Sequence, residues 1–153
     1  MENKTRVLAT GVFDLLHPGH VKYLEEAKKT GGENAELVVV VARDNTVKKA
    51  KGKAPIMPED QRRLLVESLK VVDSAILGFE EQDVTKILET GFKYLLSLKP
   101  DIIAVGHDQS NVEKTLQKVI TEKGLNIKIV KIKKFNEELD SSTKIKERII
   151  EQG

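Results

Sequence analysis

The sequence predicts an α/β fold, a Rossmann-like open parallel sheet of about five strands with helices on both faces. Short runs of β-branched and other apolar residues alternate with segments whose apolar residues recur at helical spacing. The runs at residues 7–9 and 37–42 are apolar throughout, which is typical of parallel strands covered on both faces. No repeat, linker or low-complexity tract interrupts the 153 residues. We therefore expect a single domain spanning residues 1–153.

The first two predicted strands enclose a helix. Residues 7–9 form the first strand, and Pro18 suits the first turn of the next helix because it lacks an N–H and its φ is already helical. Apolar residues over 21–27 repeat at helical spacing, and Gly31 ends the helix. Residues 37–42 form the second strand, so a right-handed crossover joins a parallel pair.

The remaining three predicted strands are shorter. They cover residues 74–78, 101–106 and 127–132. The last of them alternates polar and apolar residues, which is typical of an edge strand with one solvent-exposed face. Helices flank each of them. The residues expected to anchor these helices in the core are Leu64, Leu65, Val66 and Leu69 after Pro58, then Val84, Leu88, Phe92 and Leu95, then Val112, Leu116, Val119 and Ile120, and finally Ile145, Ile149 and Ile150.

Composition restricts the partners and the compartment. The 26 Lys and Arg against 24 Asp and Glu give a net charge of +2, which is too balanced to indicate a nucleic-acid partner. No apolar run approaches the roughly 20 residues of a membrane span, so no membrane partner is expected. The chain has no cysteine, which excludes disulfides and thiolate metal sites. The N-terminus does not resemble a signal peptide, and we expect a cytoplasmic enzyme.

Two of the three histidines lie where the first strand meets the first helix. His17 and His20 are three residues apart, so they share one helix face. A helix N-terminus attracts phosphate, and Gly19 allows a ligand to approach the backbone closely. Both histidines could instead be ordinary helix-start residues, and zinc would require a third ligand that is not nearby. The arrangement favours phosphate binding and charge stabilisation over covalent catalysis.

A basic segment follows the second strand. Residues 43–53 are predicted to be a polar loop at the same sheet edge as the histidines, and its lysines could neutralise a triphosphate. Lys48 is our choice for the catalytic cation, with Lys49 or Lys51 as replacements. A solvated lysine-rich loop is the plain alternative. Arg62 is either a helix-surface charge or a phosphate contact.

Polar residues also follow the fourth strand and open the last helix. Asp108 could accept hydrogen bonds from ribose hydroxyls or a base amino group, and Gln109 offers both donor and acceptor. Ser141, Ser142 and Thr143 can cap the last helix, and their hydroxyls can also bind phosphate.

The stretch from Gly11 to His20, Gly-Val-Phe-Asp-Leu-Leu-His-Pro-Gly-His, resembles the HxGH signature of the cytidylyltransferase-like nucleotidyltransferase superfamily. The resemblance extends through residues 42–78 and 141–145. It implies that His17, His20 and Lys48 are catalytic, that a divalent ion of the Mg²⁺ type travels with the nucleoside triphosphate, and that the chain forms a homodimer. It also implies that Phe13, Gly19, Gly106, Asp108, Ser142 and Thr143 contact the nucleotide. The full set of candidate nucleotide-binding residues adds Val12, Asp14, Gln109 and Ser141, and Lys49 and Arg62 are the candidates for a further phosphate contact.

Residues 42–49 and 58–63 look most like archaeal-type FAD synthetases, which transfer AMP from ATP to FMN. Bacterial glycerol-3-phosphate cytidylyltransferases share the histidine and Ser-Thr blocks, but in them an Arg-Thr-Glu-Gly-Ile run precedes the hydroxyl cluster and its Arg binds CTP. Residues 136–140 here contain no Arg. The resemblance therefore implies ATP and FMN, with CTP and glycerol 3-phosphate as the alternative. The alternative that is not an enzyme is a non-catalytic nucleotide-binding module.

Overall fold

The computed structural model describes residues 3–80, 87–135 and 141–153. Strands and helices alternate over these ranges. The strands are β1 (Thr5–Gly11), β2 (Ala35–Val41), β3 (Ser74–Leu77), β4 (Ile102–Val105) and β5 (Lys128–Lys131). The helices are α1 (Pro18–Lys29), α2 (Asp44–Lys51), α3 (Glu59–Glu67), α4 (Ile87–Ser97), α5 (Ser110–Lys123) and α6 (Ser142–Gln152).

The strands form a five-stranded sheet in the order β3-β2-β1-β4-β5, and every pair is parallel. The chain builds outward from β1 through β2 to β3, then crosses back and adds β4 and β5 on the other side of β1. The strand order therefore reverses between β1 and β4. Ligands of open α/β sheets bind at the carboxyl ends of the strands at such a reversal. The predicted Rossmann-like sheet is confirmed.

Side chains that alternate along the strands fill two cores, one on each face of the sheet. Val7 of β1 packs with Leu24 of α1 and Val66 of α3. Its neighbour Leu8 packs on the opposite face, against buried residues of α4 and α5, which are Phe92, Leu95 and Leu116. The predicted helices on both faces are therefore present, and the central strands are buried on both sides.

The basic segment at residues 43–53 is mostly helix, so the predicted loop is wrong. Helix α2 has Asp44 in its first turn and lysines in its last, the arrangement that the helix dipole favours. Val47 is the buried residue of this helix. Gly52, at φ 79°, ends the helix in the left-handed conformation. The residues that favour the start and end of a helix therefore decide the local structure, although the polar composition is typical of a loop.

Helix α3 buries only part of the stripe predicted for it: Val66 and Leu69 pack in the core, but Leu64 and Leu65 do not. Leu64 and Leu65 are 57% and 40% exposed, whereas Arg62 and Val66 have no exposed surface. Arg62 and Val66 are four residues apart and share one helix face, which turns the two leucines toward solvent. The inward position is taken by an arginine because hydrogen-bond acceptors surround it, as described below.

Helix α6 also departs from its prediction. Ile149 and Ile150 are 60% and 78% exposed, and the helix has no fully buried side chain, so these residues do not pin it to the sheet. Val84 and the side chain of Leu88 lie outside the described residues. Over the described ranges, the helices are too short or too polar for any to cross a membrane.

Candidate active site

The two histidines meet at the start of α1. His17 is the N-cap residue, and its Nδ1 accepts a hydrogen bond from the Gly19 N–H at 3.1 Å. Its ring stacks on that of His20, with centroids 3.7 Å apart and an interplanar angle of 27°. Phe13 lies on another side of His20, with ring centroids 5.4 Å apart. The two imidazoles therefore share one face, as their spacing predicts.

His20 is held neutral by its surroundings. Burial, followed by the charge of neighbouring His17, lowers the pKa of His20 from 6.5 to about 4, and Asp14 opposes this shift only weakly. Its Nδ1 is buried and has no hydrogen-bond partner among the described residues. In the ligand-free chain, His20 is thus an uncharged imidazole, and positive charge at this edge comes from the helix N-terminus and basic side chains.

The turn before α1 is conformationally strained. Phe13 and Leu15 have φ values of 57° and 53°, in the left-handed region that side chains with a Cβ disfavour. Gly11 precedes the turn, and a Cβ added there would approach the Phe13 ring to 2.9 Å. Strain of this kind persists only where neighbouring groups fix the backbone.

Asp14 is one of those fixing groups. Its carboxylate is 6% exposed and accepts hydrogen bonds from the backbone N–H groups of Ile56 and Met57, at 2.8 and 3.0 Å. Its carbonyl oxygen accepts a hydrogen bond from the Ser142 hydroxyl at the start of α6. Asp14 was expected to contact nucleotide, but its carboxylate is committed to holding the turn.

Arg62 is the second fixing group. Its side chain has no exposed surface and donates to the carbonyl oxygens of Met57, Val12 and Ala42 at 2.7–2.8 Å. It also pairs with the Asp44 carboxylate at 2.6 Å. Arg62 therefore ties the ends of β1 and β2 to the start of α2. A phosphate has no access to this guanidinium, so Arg62 serves as a structural link.

The candidate lysines lie on α2. Lys48, Lys49 and Lys51 occupy its last turn, and all three are exposed. The helix follows β2 at the carboxyl edge of the sheet, and its first residue, Asp44, is held by Arg62. Which of these lysines contacts a phosphate stays a prediction.

The carboxyl ends of β1 and β4 border a crevice where the strand order reverses. The turn after β4 forms the side of this crevice opposite the histidine turn. The Gln109 side-chain oxygen accepts a hydrogen bond from the Gly106 N–H at 2.8 Å, so it stabilises the turn. A Cβ on Gly106 would lie 3.0 Å from Asp108 Oδ1, so the Asp108 carboxylate approaches the backbone of the turn closely. The Asp108 carboxylate is exposed and can meet a ligand at this edge.

Sequence reasoning missed Tyr23. Its hydroxyl donates to the Ala104 carbonyl oxygen at 3.1 Å and lies 3.5 Å from that of Thr10, so it joins the carboxyl ends of β4 and β1. Burial raises the pKa of Tyr23, which keeps the hydroxyl protonated. The available signal was its position three residues after His20, on the same helix face.

The three hydroxyls at the start of α6 divide their roles. Ser141 is the N-cap residue, and its oxygen accepts from the Lys144 N–H at 3.1 Å. Ser142 donates to Asp14, while Thr143 is exposed. Capping accounts for Ser141, and the Ser142 bond brings the N-terminus of α6 beside the histidine turn.

Comparison with known proteins identifies the class. A model of the cytidylyltransferase-like family matches residues 8–148, a range that includes both histidines, Lys48 and the Ser-Thr block. The chain belongs to the cytidylyltransferase-like family, which confirms the nucleotidyltransferase predicted from the sequence.

More particular similarity is to archaeal proteins. The FAD synthase of Methanobrevibacter smithii is 51% identical over 145 residues, which are 94% of this chain and 90% of that protein. The FAD synthase of Archaeoglobus profundus is 50% identical over 148 residues, 95% of this chain and 86% of that protein. The crystal structure of the lipopolysaccharide core biosynthesis protein from Thermoplasma volcanium GSS1 has a TM-score of 0.69 and 48% identity, and covers 88% of this chain and 100% of that one. The predicted likeness to archaeal FAD synthetases is confirmed.

Proposed function

We propose that this chain is an FAD synthase, which transfers AMP from ATP to FMN and releases pyrophosphate. The observation that carries the proposal is the identity of about one half to FAD synthases over nearly the whole chain. The geometry agrees with nucleotidyl transfer, because the paired histidines and a helix N-terminus lie at the reversal point of a parallel sheet. FMN is favoured over glycerol 3-phosphate, and ATP over CTP.

The reaction is an in-line displacement at phosphorus. A phosphate oxygen of FMN forms a bond to the α-phosphorus of ATP, while the bond from that phosphorus to the bridging oxygen of the β-phosphate breaks. The acceptor phosphate is already ionised near neutral pH, so no strong general base is needed. Catalysis then depends on positioning and on stabilising negative charge at the α-phosphate and the leaving group.

The histidine turn supplies donors for that charge. His17 is oriented by its capping bond to Gly19, and the stacked His20 ring is held beside it. The neutral His20 contributes a hydrogen bond, and an approaching phosphate favours its protonation. Lys48 supplies full positive charge from α2. Asp14 and Arg62 hold these groups in place and do not themselves touch the reacting atoms.

The nucleotide occupies the crevice between β1 and β4 in this proposal. Asp108 accepts from the ribose or the base, with Gly106 and Gln109 shaping the turn beneath it. Thr143 and the N-terminal N–H groups of α6 contact the β- and γ-phosphates. Val12 and Phe13 contribute backbone and ring surface beside the α-phosphate.

A divalent ion of the Mg²⁺ type enters with ATP as part of the substrate. In the described part of the chain, no three His, Asp or Glu side chains cluster in a way that could hold a metal ion. In this proposal the triphosphate oxygens carry the ion, which neutralises phosphate charge.

A product assay tests the proposal. The purified chain is incubated with ATP or CTP and with FMN or glycerol 3-phosphate, and pyrophosphate and FAD are measured by coupled assay and chromatography. We expect FAD and pyrophosphate in equal amounts from ATP and FMN. Pyrophosphate from CTP and glycerol 3-phosphate alone would identify a cytidylyltransferase, and ATP binding without pyrophosphate release would identify a non-catalytic nucleotide-binding module.

Two further properties stay predictions. A homodimer is expected, and sedimentation velocity of the purified chain would reveal a species of twice the 17.1 kDa chain mass. A cytoplasmic location is expected, and fractionation of the source cells measures it directly.

A further inference from the structure

A cavity of about 400 Å³ adjoins the histidine turn on the outer side of α1. Its lining comes from the first turns of that helix and the two residues before it, namely Leu16, His17, Pro18, Val21 and Lys22. The volume lies in the range of small-molecule sites, and the lining is mainly apolar, as such sites usually are. His17 belongs both to this cavity and to the stacked histidine pair, so the cavity adjoins the turn where the proposed reaction takes place.

An aromatic ring lies beside Lys22, one of the residues that line this cavity. The Lys22 ammonium lies 5.8 Å from the centroid of the Phe135 ring, in a cation–π arrangement. Phe135 follows the edge strand β5 and comes directly after Lys133 and Lys134, which are both exposed. The cavity thus includes one residue of the histidine pair, and through Lys22 it adjoins an aromatic ring and positive charge.

We propose that this cavity is the acceptor site, and that it binds an aromatic phosphomonoester with its phosphate at His17 and its ring system at Phe135. The inference rests on the proposed function and specifies where FMN binds. Lys22 follows His17 by five residues, a rise of about 7.5 Å along the helix, which a chain of several carbons between phosphate and ring can span. The apolar side chains of Leu16 and Val21 contact that chain.

Lys22 and Phe135 have separate tasks in this site. Phe135 stacks on the ring system, and Lys22 donates a hydrogen bond to the ring's carbonyl oxygens. In the ligand-free chain Lys22 pairs with Glu25 at 3.3 Å on the helix surface, an exchangeable contact that the ligand replaces. The pair determines acceptor specificity, since a small acceptor such as glycerol 3-phosphate reaches only the His17 end.

The test compares Phe135→Ala and Lys22→Met with two matched controls. Phe79→Ala removes an exposed aromatic residue that follows β3, the opposite edge strand. Lys29→Met breaks a pair with Glu26 on the same helix, which has the same three-residue spacing as the Lys22 pair. We expect the KM for FMN to rise about tenfold in Phe135→Ala and severalfold in Lys22→Met, while the KM for ATP and both controls stay within about twofold of the unmodified chain.

Binding measured without turnover separates the two proposals. FMN is titrated by quenching of its own fluorescence into the unmodified chain and each variant, with no nucleotide present. Weaker FMN binding in Phe135→Ala and Lys22→Met, but not in the controls, supports the acceptor site even if the chain forms no FAD. Equal FMN affinity in all five proteins, or no FMN binding by the unmodified chain, overturns the inference. Failure to form FAD despite such selective binding would refute only the proposed function.

Discussion

The buried imidazole of His20 should make folding stability depend on pH within a defined window. Its pKa is about 4 in the folded chain, against 6.5 for an ordinary histidine. Above pH 6.5, His20 is neutral in both folded and unfolded states and adds no pH dependence. Between pH 6.5 and 4 the unfolded chain binds a proton that the folded chain does not, so stability falls as the pH is lowered. Below pH 4 both states are protonated and the loss ends.

The size of the effect follows from the two pKa values. The free energy of unfolding should drop by about 2.5 kcal/mol between neutral pH and pH 4.5, and by about 3 kcal/mol in total. Other groups titrate in the same range, so the unmodified chain is compared with His20→Gln, which lacks the titrating imidazole but keeps a polar side chain. We expect the variant to lose less stability on acidification by about that amount.

Urea unfolding at about pH 7.5 and pH 4.5 measures both proteins. The His20 ring-proton resonance followed by NMR should titrate with a midpoint near 4, and tripolyphosphate should raise that midpoint because the anion favours the protonated ring. Equal loss of stability in the two proteins, together with a midpoint near 6.5, would show that His20 is solvated and would remove the basis for treating it as a neutral donor.

The other predictions concern the groups around the histidines. Lys48→Ala should lower kcat about a hundredfold, the usual loss for one transition-state donor, whereas Lys123→Ala in the last turn of α5 should change it little in the same pyrophosphate assay. Arg62→Lys should destabilise the fold by about 3 kcal/mol in urea unfolding because it breaks a fully buried network, and Arg63→Lys at the half-buried neighbour should cost much less. Tyr23→Phe should cost about 1 kcal/mol of stability and raise the KM for ATP, since it removes the hydroxyl that joins β1 to β4, and an unchanged KM would limit Tyr23 to a packing role.

The strands were predictable because parallel strands buried on both faces need continuous apolar runs, and few other segments carry them. Helix faces were less predictable. Periodicity marks apolar positions but does not show which of them find a partner, so Leu64 and Ile150 were placed in the core although both are exposed. In α2 the high lysine content is typical of a loop, but Asp44 in the first turn and Gly52 at the C-cap are the residues that begin and end a helix.

The histidine pair was predictable because a three-residue spacing at a strand–helix junction leaves little geometric freedom. The inward turn of Arg62 was not, since it depends on carbonyl oxygens from Val12 and Ala42 that are far from it in sequence. Asp14 lies inside the stretch from Gly11 to His20, yet its carboxylate accepts hydrogen bonds from the backbone N–H groups of residues 56 and 57, some forty residues away. Local pattern identifies such residues but cannot assign their contacts.

The arrangement explains how a site without a covalent nucleophile can be organised for phosphoryl chemistry. Phe13 and Leu15 adopt the left-handed conformation, and the Phe13 ring lies beside the His20 ring. The strained turn persists because Asp14 and Arg62 bind the surrounding backbone. The donors are then oriented before a substrate arrives, so little reorganisation is needed as charge develops. The cost appears as the buried Nδ1 of His20, which has no hydrogen-bond partner among the described residues and is unfavourable in the free chain. In the proposed reaction a phosphate oxygen supplies that partner.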